Sequence, residues 1–158
     1  MKHLSTVDSS QQKELFSIFP DIDKVLEMEE TSIYKQKSIS VFDHWLTLEE
    51  GIEFLDGVSK KEQERRNFLH KNFQTVLIEN LQLYGYSYFS NIQKRKFVQF
   101  PLSSEISKYF EHSFCVVMPE IKSIYVSGFD DTNHLYFQNE SEIEILKPFI
   151  SNAKLWLI

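Results

Sequence analysis

Between Phe114 and Phe137 the chain reads FCVVMPEIKSIYVSGFDDTNHLYF. Phe114 to Met118 is apolar at every position, which suits a strand covered on both faces. Pro119 stops it, because proline cannot donate to a ladder. From Lys122 the pattern alternates, with Ile124 and Val126 on one side and Tyr125 on the other. Gly128 to Asn133 is rich in residues that accept positive φ or bond their own backbone. Leu135-Tyr136-Phe137 then resumes the alternation. The block predicts a hairpin over Lys122–Gln138 beside a central strand, Phe114–Met118. The expected class is therefore α+β, a largely antiparallel sheet packed with helices from the N-terminal and C-terminal parts of the chain.

The remaining elements follow from caps and periodicity. Asp8-Ser9-Ser10 can cap a helix to Phe19, and Pro20 breaks it. Asp21 to Glu30 predicts a short second helix with Ile22, Val25 and Leu26 on one side. Ile33 to Trp45 reads as extended. Thr47-Leu48-Glu49-Glu50 is a capping box, opening a helix that carries Leu48, Ile52 and Leu55 and ends near Gly57. Ser59-Lys60-Lys61-Glu62 is a second box. It opens the longest helix, to about Tyr84, with Leu69, Phe73, Val76, Leu77, Asn80, Leu81 and Tyr84 on its stripe and Gly85 closing it. Such a helix of about 25 residues would span about 38 Å, so a break near Asn72 is allowed for.

Tyr86–Ser90 and Arg95–Phe100 read as strands around the basic Lys94-Arg95-Lys96. Ser103 or Ser104 caps a short helix to Phe110. Asn139-Glu140-Ser141-Glu142 offers a further box, and its helix should kink or restart at Pro148. The apolar end, Lys154 to Ile158, should pair into the sheet.

At 158 residues the chain has the size of one domain, 1–158, and needs no covalent staples to bury a core. Four glycines and four prolines leave little composition for a long linker. Cys115 is the only cysteine. Inside an apolar run it reads as a small core hydrophobe with little thiolate. The opening residues show no charged segment followed by an apolar one, so no signal peptide is expected. No apolar run reaches the roughly 18 residues of a spanning helix. A cytoplasmic location with no membrane partner is the expectation.

Few residues group in a way that carries chemistry. Asp130, Asp131, Asn133 and His134, with Glu120 across the hairpin, could hold a metal or exchange protons, as a small hydrolase would. The same residues are what a turn needs for structural reasons. HExxH, paired CxxC, EF-hand, GxSxG and phosphate-binding glycine patterns are all missing from the sequence. No catalytic residue, metal or cofactor is expected, and the protein is read as not an enzyme. His44, His70 and His112 stand apart in the chain and read as surface or packed residues.

Charge is uneven. Residues 1–58 carry a net −7, residues 59–101 a net +5, and residues 102–158 a net −4. The middle segment interleaves Arg65, Arg66, Lys71 and Lys94-Arg95-Lys96 with Tyr84, Tyr86, Tyr88 and Phe89. That is a faint pattern for an RNA-binding module. The net −6 of the whole chain disfavours nucleic acid. The acidic residues are the stronger electrostatic feature, and they suit a basic protein partner. The candidate contact set is Asp21, Asp23, Glu27, Glu29, Glu30, Asp43, Trp45, Glu49, Glu53, Phe129, Asp130 and Asp131, the aromatics serving as anchors.

In length, acidity, low glycine, high aromatic content and lack of catalytic motif, the chain resembles bacterial immunity proteins. These small cytosolic inhibitors neutralise polymorphic or contact-dependent toxins. The block CVVMPEIKSIYVSGFDDTNHLYF with the helix after it, residues 114–158, looks like a sheet core found in such proteins. The resemblance implies a stoichiometric inhibitor that occludes the active site of a cognate toxin. It carries over no site residue, since no diagnostic motif supports one.

Overall fold

The computed structural model describes residues 5–29, 33–89 and 95–158. Glu30, Lys94 and the end of the strand expected to reach Ser90 lie outside them. The strands are β1 (Ser5–Thr6), β2 (Lys35–Ser40), β3 (Tyr84–Tyr86), β4 (Phe97–Gln99), β5 (Cys115–Met118), β6 (Ser123–Val126), β7 (Thr132–Phe137) and β8 (Trp156–Leu157). The helices are α1 (Ser9–Ile18), α2 (Ile22–Leu26), α3 (Leu48–Phe54), α4 (Lys60–Asn80), α5 (Ser103–Tyr109) and α6 (Leu146–Asn152). The strands form one sheet in the order β1-β4-β3-β5-β6-β7-β2-β8. Every neighbouring pair is antiparallel. The fold is α+β, as the sequence predicts.

β5 is the spine. All four of its residues are completely buried, and they alternate between two cores. Val116 and Met118 join Phe73 and Leu77 of α4, Ile106 of α5, and Leu146 and Ile150 of α6. Cys115 and Val117 face the other way, with Leu15, Phe19 and Ile22 from the N-terminal helices. The sheet is thus covered on both sides, which explains a strand with no polar face. β6 and β7 are the expected hairpin, paired from Ser123↔Phe137 to Val126↔His134. The C-terminal strand β8 pairs with β2, Ile39↔Leu157.

Several expectations need correction. α4 runs unbroken and stops at Asn80, and Leu81 is already extended, with φ −128° and ψ 151°. Leu81 and Leu83 alternate into the core on an extended segment, which a continued helix could not allow. Tyr84 and Gly85 therefore belong to β3 and do not close a helix. A Cβ on Gly85 would meet the Val98 side chain of β4 at 2.8 Å, so close strand packing explains this glycine. The buried face of α4 is Arg66, His70, Phe73, Gln74 and Leu77, not the purely apolar stripe. The strand expected from Tyr86 ends there and gives way to a 3₁₀ turn, Ser87–Phe89.

The caps divide in the same way. Thr47 makes both bonds of its capping box with Glu50. Ser59 makes only its own half, accepting from the Glu62 N–H, because the Glu62 carboxylate turns to Arg65 and Arg66. α5 starts without a side-chain cap. Residues 140–143 form a 3₁₀ turn. α6 begins two residues before Pro148, where a missing N–H in the first turn is tolerated.

Candidate functional site

The β6–β7 turn organises the polar groups of the molecule. Asp130 and Asp131 both take left-handed backbone, φ 57° and 58°, a conformation that Asp tolerates better than most residues. Gly128 precedes them because a Cβ there would lie 2.3 Å from the Thr132 carbonyl. The turn is fixed to α4 by Asp131. Its carboxylate accepts from Gln63 at 2.6 Å and from Arg66 at 3.0 Å. Its backbone carbonyl accepts from His70 Nε2 at 2.8 Å. Both side chains of the ion pair are nearly buried, 7% exposed for Arg66 and 10% for Asp131. Burial pushes the pKa of His70 down, against the pull of Asp131, so the imidazole is held neutral.

On the α4 side of the turn, Asn133 Oδ1 accepts from Gly128 N–H and its Nδ2 donates to Tyr125 Oη at 3.1 Å. A cavity of about 410 Å³ opens here, lined by His70, Gln74, Phe110, Phe114 and Asn133 among others. On the opposite face of the sheet, His134 Nδ1 lies 3.1 Å from Ser38 Oγ and 3.2 Å from Gln36 Nε2. Burial lowers its pKa as well. Asp131 and His134, three positions apart in sequence, therefore have separate partners. Glu120 is farther away, at the β5–β6 turn, where it accepts from the Gln82 N–H. Among the described residues, no group of three His, Cys, Asp or Glu side chains could hold a metal ion.

Asp130 points to a different place. It lines a cleft of about 240 Å³ with Phe42, Trp45, Leu55, Phe129 and His134. Phe129 is 88% exposed and Trp45 is 60% exposed. α3 adjoins Trp45 in the chain and buries none of its residues. Leu48 and Ile52, which this helix carries, are 83% and 58% exposed. The helix is held through Phe54, whose ring lies 6.1 Å from that of Phe42. Residues 43–58 hold Asp43, Glu49, Glu50, Glu53 and Asp56 and no lysine or arginine. His44 sits between Asp43 and Glu50, and its hydrogen bond to Asp43, then that to Glu50, raises its pKa.

Of the candidate contacts, the cleft brings together Trp45, Phe129 and Asp130, while Asp43 lies two residues before Trp45 in the chain and Glu49 and Glu53 lie on α3. Asp131 is turned inward to α4. The acids of α2 form a separate group. Asp23 and Glu27 share Arg95 at 3.1 and 2.8 Å, and Arg95 lies 4.3 Å from the centre of the Tyr88 ring. Asp21 is the left-handed residue that starts α2. Glu29 lines a shallow groove with Tyr34 and Tyr136. The arginines of the middle segment have acidic partners within the molecule: Arg66 is buried against Asp131, Arg65 pairs with Glu62, and Arg95 pairs with α2.

No helix among the described residues is long and apolar enough to cross a membrane. Comparison of the chain with known protein families, characterised proteins and solved structures finds no match.

Proposed function

We propose that this protein is a protein-binding inhibitor of the toxin-immunity type, acting in the cytoplasm through the surface of α3 and the β6–β7 turn. The observation that carries this reading is the exposure of Trp45, Leu48, Ile52 and Phe129 beside a segment whose formal charges are all negative. Large apolar side chains left in water cost solubility, and their clustering marks an interaction site. Aromatic anchors ringed by charge combine affinity with fast, oriented encounter. The partner is a toxin whose active-site surroundings are basic. Binding is stoichiometric, and the toxin is blocked by occlusion.

Co-expression with the product of any toxin gene found next to its own tests the reading. Cells carrying the intact chain are expected to survive toxin induction. A Trp45→Ala/Phe129→Ala double variant, folded by circular dichroism, is expected to protect poorly. Equal killing with and without the intact chain would overturn the proposal.

A further inference from the structure

We infer that the cleft between Trp45 and Phe129 is a receptor for one arginine side chain of the partner. The inference rests on the interface proposed above and names the group that the partner supplies. At about 240 Å³ the cleft is below the roughly 300–1,000 Å³ of pockets that take drug-sized ligands, and its size suits a single side chain. Trp45, Phe129, Phe42 and Asp130 are among its lining residues. Aromatic rings beside an acidic residue recognise a cation. A guanidinium fits better than an ammonium, because its planar fork stacks on a ring while it donates to the carboxylate.

The same chemistry already occurs within the fold. Arg66 lies 5.1 Å from the centre of the Phe42 ring and pairs with Asp131, the neighbour of Asp130. The Arg66 charge is met by Glu62 and Asp131. Of the two histidines lining the cleft, His134 is held neutral by burial, and His44 is bracketed by Asp43 and Glu50. The surroundings therefore favour an incoming positive charge. Asp130 is left free to meet it by its left-handed backbone, which turns Asp131 inward and leaves Asp130 at the mouth.

The test uses capped arginine, N-acetyl-arginine amide, titrated into the full chain and followed by the backbone amide NMR signals of residues 129–132, which every variant retains. Capped citrulline, the neutral isostere, and free zwitterionic arginine are titrated in parallel. Capped arginine is expected to saturate in the millimolar range and to bind more tightly than citrulline. Trp45→Ala, Phe129→Ala and Asp130→Asn should each weaken it about two- to fivefold, the range of an exposed cation–π or ion-pair contact. These positions are exposed or at a turn, and unchanged thermal midpoints would establish that the variants fold. Equal binding of citrulline, or insensitivity to all three substitutions, would overturn the inference. Tighter binding of free arginine would also overturn it, since the site would then serve a metabolite and not a protein side chain. Arginine binding without toxin protection would leave the cleft standing and remove the inhibitor. Protection unaffected by Trp45→Ala and Phe129→Ala, with no arginine binding, would do the reverse.

Discussion

At the scale of single residues, Asp131 does the most structural work in the site. Removing its side chain leaves the Arg66 guanidinium buried beside Glu62 alone and deletes the Gln63 bond, while His70 keeps its partner in the backbone carbonyl. Breaking one side of a buried pair in this way typically costs about 3–5 kcal/mol. Asp131→Ala should therefore lower the denaturation midpoint in urea more than Asp130→Ala, which removes only an exposed carboxylate. Gly128→Ala should destabilise by about 1–3 kcal/mol, since the new methyl meets a backbone carbonyl that cannot rotate away.

The histidines give a pH dependence with a definite sign. His70 and His134 have folded pKa values below the ordinary 6.5. The unfolded chain thus binds more protons than the folded one as pH falls below that value, and stability is lost there. His44 is shifted upward. Its small, solvent-screened contribution is present below its unfolded pKa and disappears as pH rises through the folded one. Thermal midpoints measured from pH 7.5 down to pH 5, about a unit either side of the ordinary histidine value, should fall on acidification. The fall should be smaller in His70→Asn.

At the scale of elements, legibility followed local chemistry. The β6–β7 hairpin, the buried β5 and the Thr47 box could be read because period, turn residues and caps agree over a short stretch. The end of α4 could not. Leu81 fits a helical stripe as well as an extended one, and only its burial together with Leu83 in the core of β5 decides between them. The buried face of α4 was hidden for the same reason. Arg66, His70 and Gln74 look like solvent-facing residues until the β6–β7 turn, some 60 positions away, supplies their partners. The box of α3 predicts its helix correctly, and only the structure shows that Leu48 and Ile52 point to water. Of the candidate contacts, those near Trp45 converge because one turn lies beside one extended segment, which no spacing in the sequence reveals. Hydrogen exchange should separate these elements. α3 amides should exchange far faster than those of β5, whose residues are wholly buried. Comparable protection would mean that α3 is held by contacts beyond Phe54 and Leu55.

At the scale of the whole molecule, a three-layer body supports one acidic, aromatic-bearing surface. On the proposed function, the net charge of −6 would lengthen the reach of that surface toward a basic partner, and added salt should shorten it. Carboxylates such as Glu49 and Glu53 should then act mainly on the association rate, and Trp45 and Phe129 on dissociation. Substituting Glu49 and Glu53 by Gln should slow association and flatten its salt dependence. Stability should change by less than about 0.5 kcal/mol, since both residues lie on an exposed helix face.

The most direct measurement of the proposed function titrates the purified chain against the activity of a toxin found encoded next to it. Loss of activity is expected to end at one chain per toxin molecule, with an association rate that falls as salt rises. Inactivation by far less than one equivalent would mean that the protein turns over, and a surface acting by occlusion alone could not explain it.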